Sequence, residues 1–519
     1  MEFTASLLIP FLLPLLLLLL ALLNGSPSSS SNKLPKSYPI IGCSFAVLAN
    51  MKRRIQWTSD LILFSPNAKY VLHRPLGHGQ VLTGKPATVQ HILKTHFSYY
   101  QKGDLFQTAL RDMLGDGFLN ADGDSWKLQR QVSSHEFKTK SLRKFLETVV
   151  DTELNDRLIP FLSEAARKET ILDMQDILQR FAFDNICNIA FGYDPACLSS
   201  SLPERKFAQA FEEAAMLSIN RLVTPSPLLW KIKRKLDIGS EKRLKIIVSE
   251  IRDFARKIVR EKKVQLLNGK SSSLESVDLL SRFLNSGQYD EEFLIDIVIS
   301  IILAGQDSTL AALTWYFWLL SQNPLVENEV VREIRKKSGS PIYEDVKDMV
   351  YTHTSLCESM RLYPPVPFEN RQATIDDILP DGTIVKKGMS VAYHPYAMGR
   401  SEKIWGPDWA EFRPERWLEK VDEATEKWCF VGRDSFTYPV FHAGPMICLG
   451  REMAFLQMKR VVSEVLRQFR VVPMAEKGVQ PGAKGRSFPV GRSAVLAHIL
   501  LRLAALQGQH QLPVRAFEL

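Results

Sequence analysis

A single cysteine, an acid beside two alcohols, and a glutamate–arginine pair carry the chemistry this sequence is capable of. In FHAGPMICLG, residues 441–450, Cys448 stands between two glycines, with the apolar helical run REMAFLQMKRVVSEVL directly behind it. A lone cysteine before a helix commonly serves as a small buried hydrophobe. The positive end of a helix dipole, however, also favours a deprotonated sulfur. In IILAGQDSTLAAL, 301–313, Asp307, Ser308 and Thr309 interrupt an apolar run. An unpaired charge is costly in such surroundings unless it is used, and an acid beside an alcohol can relay protons. Ala304 and Gly305 just before them let something bulky approach the helix backbone. In CESMRLYPPVPFENRQA, 357–373, Glu358 and Arg361 lie one helical turn apart, and Pro364, Pro365 and Pro367 end that helix. The same spacing recurs at Glu164 and Arg167, Glu329 and Arg332, and Glu464 and Arg467. Exposed pairing is the default for any one of these. The Pro-rich exit, and Arg416 in FRPERW as a second guanidinium, set the Glu358 pair apart.

These residues need a scaffold, and the chain is long enough to build one. Its 519 residues, 45% hydrophobic, suit a membrane anchor followed by a large folded body. Phe3 to Leu23, FTASLLIPFLLPLLLLLLALL, matches the roughly 20 apolar residues that span a hydrocarbon core. A cleaved signal peptide is the competing reading, but the run has no basic flank before it and is long for such a peptide. Lys33, Lys36, Lys52, Arg53 and Arg54 follow the run, so positive charge keeps the body cytosolic. The chain therefore divides into an anchor at 1–24, a Ser/Pro linker at 25–38 and a body at 39–519. The net charge of +9 is spread along the chain, which argues against nucleic acid as a partner. Six cysteines without a CxxC pair read as reduced thiols.

Helical periodicity dominates the body, as in SLRKFLETVVDTELNDRLIPFL and EKRLKIIVSEIRDFARKIVREKKVQLL. Strand-like signals are short: AKYVLHR, GQVLTG and DGTIVKKGMSVAYH. The fold class is therefore mostly α with a small β part. The stretch 268–278 reads as a polar loop, and the longest helix is expected from about Asp290 to Gln322, stopped by Asn323 and Pro324. Asp296 and Asp307 within it would each cost about 2.5 to 3.5 kcal/mol in a bilayer, which argues against a second transmembrane span.

In order along the chain, these pieces resemble the haem-thiolate monooxygenases, the cytochromes P450, from about Pro39 to Val490. The family's small–Gly–x–acid–hydroxyl–hydroxyl pattern falls on Ala304, Gly305, Gln306, Asp307, Ser308 and Thr309. Its buried ion-pair triad falls on Glu358, Arg361 and Arg416, and its cysteine loop on Phe441, Gly444, Cys448 and Gly450. The resemblance implies haem b (iron protoporphyrin IX) with Cys448 as the iron ligand, and glycines that admit a flat macrocycle. Trp126, Arg130 and Arg371 would hold the haem carboxylates, and Asp307, Ser308 and Thr309 would handle protons. Met446 stands where the family has an arginine, so one expected donor is missing. The segment after about Val490 does not read like the short terminal strand usual in this family.

The resemblance further implies an NADPH-cytochrome P450 reductase as electron donor and an endoplasmic reticulum membrane location. FQTALRDMLGDGFLNADGDSW, LAGQDS, ESMRLYPPVPFENRQA and AYHPYAMGRSEKIWG look like the plant branch that hydroxylates fatty acids at the chain end. Related members oxidise fatty-acyl hormone conjugates or sterol side chains. A haem-thiolate isomerase or dehydratase is a further alternative, though it would tolerate loss of Asp307 and Ser308, and a haem-binding protein with impaired catalysis is another. Phe106, Leu110, Ala304, Val366 and Phe368 are expected to line the pocket for an apolar small-molecule substrate.

Overall fold

The apolar run around position 305 folds as the helix Glu291–Gln322, and Asp290 caps it by accepting the Phe293 N–H at 2.7 Å. By length and composition this helix is able to cross a membrane. It is instead the central pillar of the body, because a helix apolar on nearly all sides needs apolar neighbours all round. Its buried residues from Leu294 to Ile302 join one core cluster and those from Leu310 to Leu320 another. Met174–Phe191 and Gly239–Leu267 pack along it. The first of these is capped by Asp173, which accepts the Gln175 N–H at 3.0 Å, and is ended by Gly192 at φ +61°.

The computed structural model describes residues 34–518 apart from 76–77, 135–142, 200–205, 225–226, 269–277, 286–288, 338–341, 422–427 and 474–512. Met1–Lys36 and Ser37–Leu519 are separate units. The expected anchor at 1–24, most of the linker, nearly all of the 268–278 loop and most of the tail lie outside the described residues.

The three sequence-predicted strand regions all appear in or beside one five-stranded sheet, ordered Lys69–His73, Gly79–Thr83, Ser390–Tyr393, Glu369–Ala373, Tyr100–Gln101. Two of its strands give no alternating signal of their own, Glu369–Ala373 and Tyr100–Gln101. The register puts Arg371 opposite Val391 and Tyr100 opposite Ala373, so the sheet edge carries Arg371 close to the chain around residue 100. Val350–Leu362 stops before the proline run as expected, and Arg451–Gln468 follows the cysteine loop.

The end of the chain corrects the expectation for the tail. Pro513–Glu518 is a terminal strand, paired antiparallel with Phe469–Pro473 and with Ile171–Asp173. Its partners lie far away in sequence, so pairing decides a strand that local pattern does not signal. All six cysteines are free thiols.

Candidate active site

The cysteine loop is built by backbone constraints. Gly444 sits at φ +59°, and a Cβ there would run into the Leu93 carbonyl oxygen, so both conformation and space demand glycine. Gly450 is different: at φ −83° its conformation is open to any residue. The Cys448 N–H donates to the Phe441 carbonyl at 2.8 Å, closing the loop, while the Phe441 ring packs on Phe455 at 5.2 Å between centroids. Cys448 is exposed by surface area, yet burial among surrounding atoms pushes its thiol up, against the lowering pull of the Gly450 N–H and of Arg130. Both hold for a sulfur that faces a space enclosed by protein. Metal binding would remove the proton that burial favours.

On the central helix, Ala304 is exposed although Ile301, Ile302, Gln306 and Asp307 around it are buried. An exposed alanine in the middle of a core helix marks an internal space. Ser308, one turn on, donates its hydroxyl to the Ala304 carbonyl at 3.0 Å, leaving its lone pairs available. Asp307 and Thr309 are buried. Gly305 serves another purpose than the one expected: a Cβ there would collide with Ile186, so its small size admits the neighbouring helix.

A cationic cluster lies beside the loop. Arg130, on the helix Gly123–Ser134, donates to the Ile447 carbonyl at 2.5 Å and stacks over buried Trp126 at 5.6 Å. Buried Arg371 bonds the Asn370 carbonyl at 3.1 Å and Glu369 at 3.2 Å, but its Nε is shut from solvent without a hydrogen bond. Two further members escaped sequence reasoning. Lys102 is buried, its Nζ bonded to the Phe118 carbonyl at 2.9 Å, and burial followed by Arg371 lowers it to about 8. His442 bonds the Tyr393 hydroxyl at 2.7 Å, and burial lowers it while Glu369 pulls it up. The only sequence hint of His442 was a polar residue inside the quoted loop. Its backbone, at φ 57° and ψ −166°, is a conformation that costs about 1 to 3 kcal/mol outside glycine.

Glu358 is the best-satisfied carboxylate near this site. It accepts two bonds from Arg361, both at 2.8 Å, one from Arg416 Nε at 2.8 Å, one from the Trp417 indole at 2.9 Å and one from the Arg413 N–H at 3.0 Å. Glu358 and Arg361 are fully buried, and Arg361 also bonds the Gly399 carbonyl. The pairs Glu164–Arg167 and Glu329–Arg332 are exposed, as the default has it. Glu464 departs from that default. It is buried, bonded to Arg460 at 2.7 Å as well as to Arg467, because the buried Arg460 at its i−4 position supplies a second cation.

The expected pocket residues divide between two places. Phe106 and Leu110 share a core cluster with Ile301, one turn before Ala304. Phe368 packs instead in the small cluster beneath the sheet, edge-on to His394 at 5.5 Å, and Val366 is half-buried before it.

Comparison with known proteins decides the family. The family model described as Cytochrome P450 matches residues 33–492. The chain belongs to the cytochrome P450 family. Among its relatives, Cytochrome P450 94A2 of Vicia sativa is 61% identical over 458 residues, covering 88% of this chain and 89% of the relative. Cytochrome P450 94A1 of the same plant is 57% identical over 493 residues, covering 93% and 95%. Cytochrome P450 94B1 of Arabidopsis thaliana is 45% identical over 453 residues, covering 87% and 88%. As a P450 the protein is a haem-thiolate monooxygenase. The residues of this site fit that group: one free thiol facing an enclosed space, a glycine that no larger residue could replace, and unsatisfied Arg371 Nε within a cationic cluster suited to carboxylates.

Met446, in the turn Gly444–Met446, supplies no charge to this cluster. A hydrogen bond to a charged group contributes about 1.5 to 3 kcal/mol, so Met446→Arg is expected to slow haem loss by about ten- to a hundredfold. Haem transfer to an apo-globin measures this. Equal or faster loss from the arginine variant would mean that the side chain at 446 does not face a haem carboxylate.

Proposed function

We propose that this P450 hydroxylates a long apolar chain, a fatty acid at or near its end, with Cys448 as the haem thiolate. The observation that carries the reading is the open Ala304–Ser308 stripe in an otherwise buried helix, next to the apolar wall of Phe106, Leu110 and Ile301. The high identity to the 94-series relatives supports it. When bound, haem supplies oxygen activation.

The chain's residues do the rest. Trp126, Arg130 and Arg371, helped by Lys102 and His442, hold the haem carboxylates, while Phe441, Gly444 and Gly450 keep the cysteine loop in place. Asp307 and Ser308 pass protons inward, and Thr309, the second hydroxyl, stands behind them. Glu358, Arg361 and Arg416 tie the helix Val350–Leu362 to the chain at Gly399 and around 411–417. Phe106, Leu110 and Ala304 guide the substrate. Electrons come from an NADPH-cytochrome P450 reductase. The anchor at 1–24 and linker at 25–38 hold the body, 39–519, on the cytosolic face of the endoplasmic reticulum membrane.

The test is a reduced-CO difference spectrum followed by reductase-supported turnover of medium- and long-chain fatty acids. Products hydroxylated at the terminal carbons are expected; NADPH use that no fatty acid stimulates would sink the substrate class. Asp307→Asn and Ser308→Ala are expected to keep haem but lower product per NADPH severalfold, with peroxide making up the difference, because proton delivery is interrupted while the ligand is intact. Wild-type coupling in both variants would remove these residues from the proton path.

A further inference from the structure

The other buried charge in the central helix, Asp296, has no part in the proton path, yet it is fully engaged. Its Oδ2 accepts the Asp116 N–H at 2.8 Å, and its Oδ1 accepts Arg252 Nη1 at 2.8 Å. Arg252, on Gly239–Leu267, gives its other nitrogen to Glu292 at 2.7 Å. The charge of Asp296 is thus balanced from one side while the other side grips a loop.

That loop, Gly115–Asp122, joins the helices Asp104–Leu114 and Gly123–Ser134. It lies directly on the central helix. Gly115 sits at φ +52° where a Cβ would strike the Asp296 carboxylate, and a Cβ on Gly117 would strike the Ser300 hydroxyl. Asp296, Ser300, Ala304 and Ser308 are spaced by four and share one helix face. The loop covers the first two, and the third is exposed. The loop therefore ends where the open space begins. Phe118 and Leu119 on it pack against the cluster that contains Ile301. Lys102 pins its far end through the Phe118 and Ala121 carbonyls at 2.9 and 2.5 Å.

We propose that Asp296, balanced by Arg252, is a positioning residue that holds the Gly115–Asp122 loop as one wall of the substrate space, and so sets the affinity for an apolar chain and the carbon presented for oxidation. This rests on the substrate class proposed above. Gripped at both ends, the loop presents Phe118 and Leu119 in one place, and releasing the Asp296 end frees the wall without touching the cysteine loop or the proton path.

The test uses the full-length holoenzyme with its reductase and laurate as the probe. In Asp296→Leu the spectral dissociation constant for laurate is expected to rise about tenfold or more, with kcat changed far less and hydroxylation spread inward from the chain end. Haem content and the reduced-CO band stay at wild-type values. Asp296→Asn, which keeps an acceptor for the Asp116 N–H, recovers most of the affinity, and Glu292→Gln, altering only the outer partner of Arg252, leaves it unchanged. A haem-loaded Asp296→Leu with wild-type laurate affinity and product distribution overturns the proposal. If that variant fails to load haem, amide exchange on the wild type decides. The Asp116 amide is expected to exchange at least tenfold more slowly than a free chain, and more slowly still with laurate; exchange at the free-chain rate overturns the clamp. A wild type that ignores laurate while its Asp116 amide stays protected defeats the substrate class and leaves the clamp standing.

Discussion

In Cys448→Ser the thiolate-type band of the reduced-CO complex is expected to vanish together with all monooxygenase activity. A serine fits the space, since the loop is held by the Cys448 N–H to the Phe441 carbonyl and by Gly444 against Leu93, neither of which involves the sulfur. What changes is the donor. An alcohol lacks the electron donation of a thiolate, on which oxygen activation in this family depends. Cys43, Cys187 and Cys357 offer no replacement, because they are buried in packed cores, and burial pushes Cys187 and Cys357 up, which keeps them protonated. Persistence of the thiolate band in the serine variant would remove Cys448 from its assigned role. A folded, haem-containing protein with a shifted CO band is the result that separates ligand loss from collapse of the loop.

Glu358→Ala is expected to leave little folded haem protein. Removing one partner of a buried ion pair costs about 3 to 5 kcal/mol, a large share of a domain stability of about 5 to 15 kcal/mol. Here the loss leaves the buried Arg361 guanidinium without a counter-charge, removes one of the two carboxylate partners of Arg416, and leaves the buried Trp417 indole N–H without its acceptor. Glu329→Ala removes a carboxylate from the same glutamate–x–x–arginine spacing in an exposed setting, where the pair is worth about 0 to 1 kcal/mol. The comparison is the yield of haem-loaded protein and its unfolding midpoint. Equal yields from the two variants would mean that the buried network contributes no more than a surface pair.

The contrast between these two glutamates marks how far sequence reading reaches. Spacing alone makes Glu358, Glu329 and Glu464 look alike, because it reports only the partner one turn away. The Pro-rich exit and Arg416 singled out Glu358, and the structure adds Trp417 and the Arg413 N–H. Nothing comparable singled out Glu464, whose burial depends on Arg460 and on Asp151, the latter brought in from a distant helix at 2.6 Å from that arginine. The same limit explains Gly305, read as making room for a large group but needed to admit Ile186.

Legible in the residues alone were the long helix stopped at Asn323 and Pro324, the stop at the proline run, the short strands around 70, 80 and 390, and the ordered motifs that place the chain among the cytochromes P450. These are properties of residues within a few positions of one another, where apolar periodicity, turn residues and capping act directly. Long-range packing alone brings Lys102 and His442 to Arg130 and Arg371, closes Asp296 on Asp116 across 180 residues, and gives Pro513–Glu518 its partner strands. The reason is physical. The energy of a charge or an unpaired strand depends on which distant groups exclude water from it and bond to it, and no local pattern carries that information.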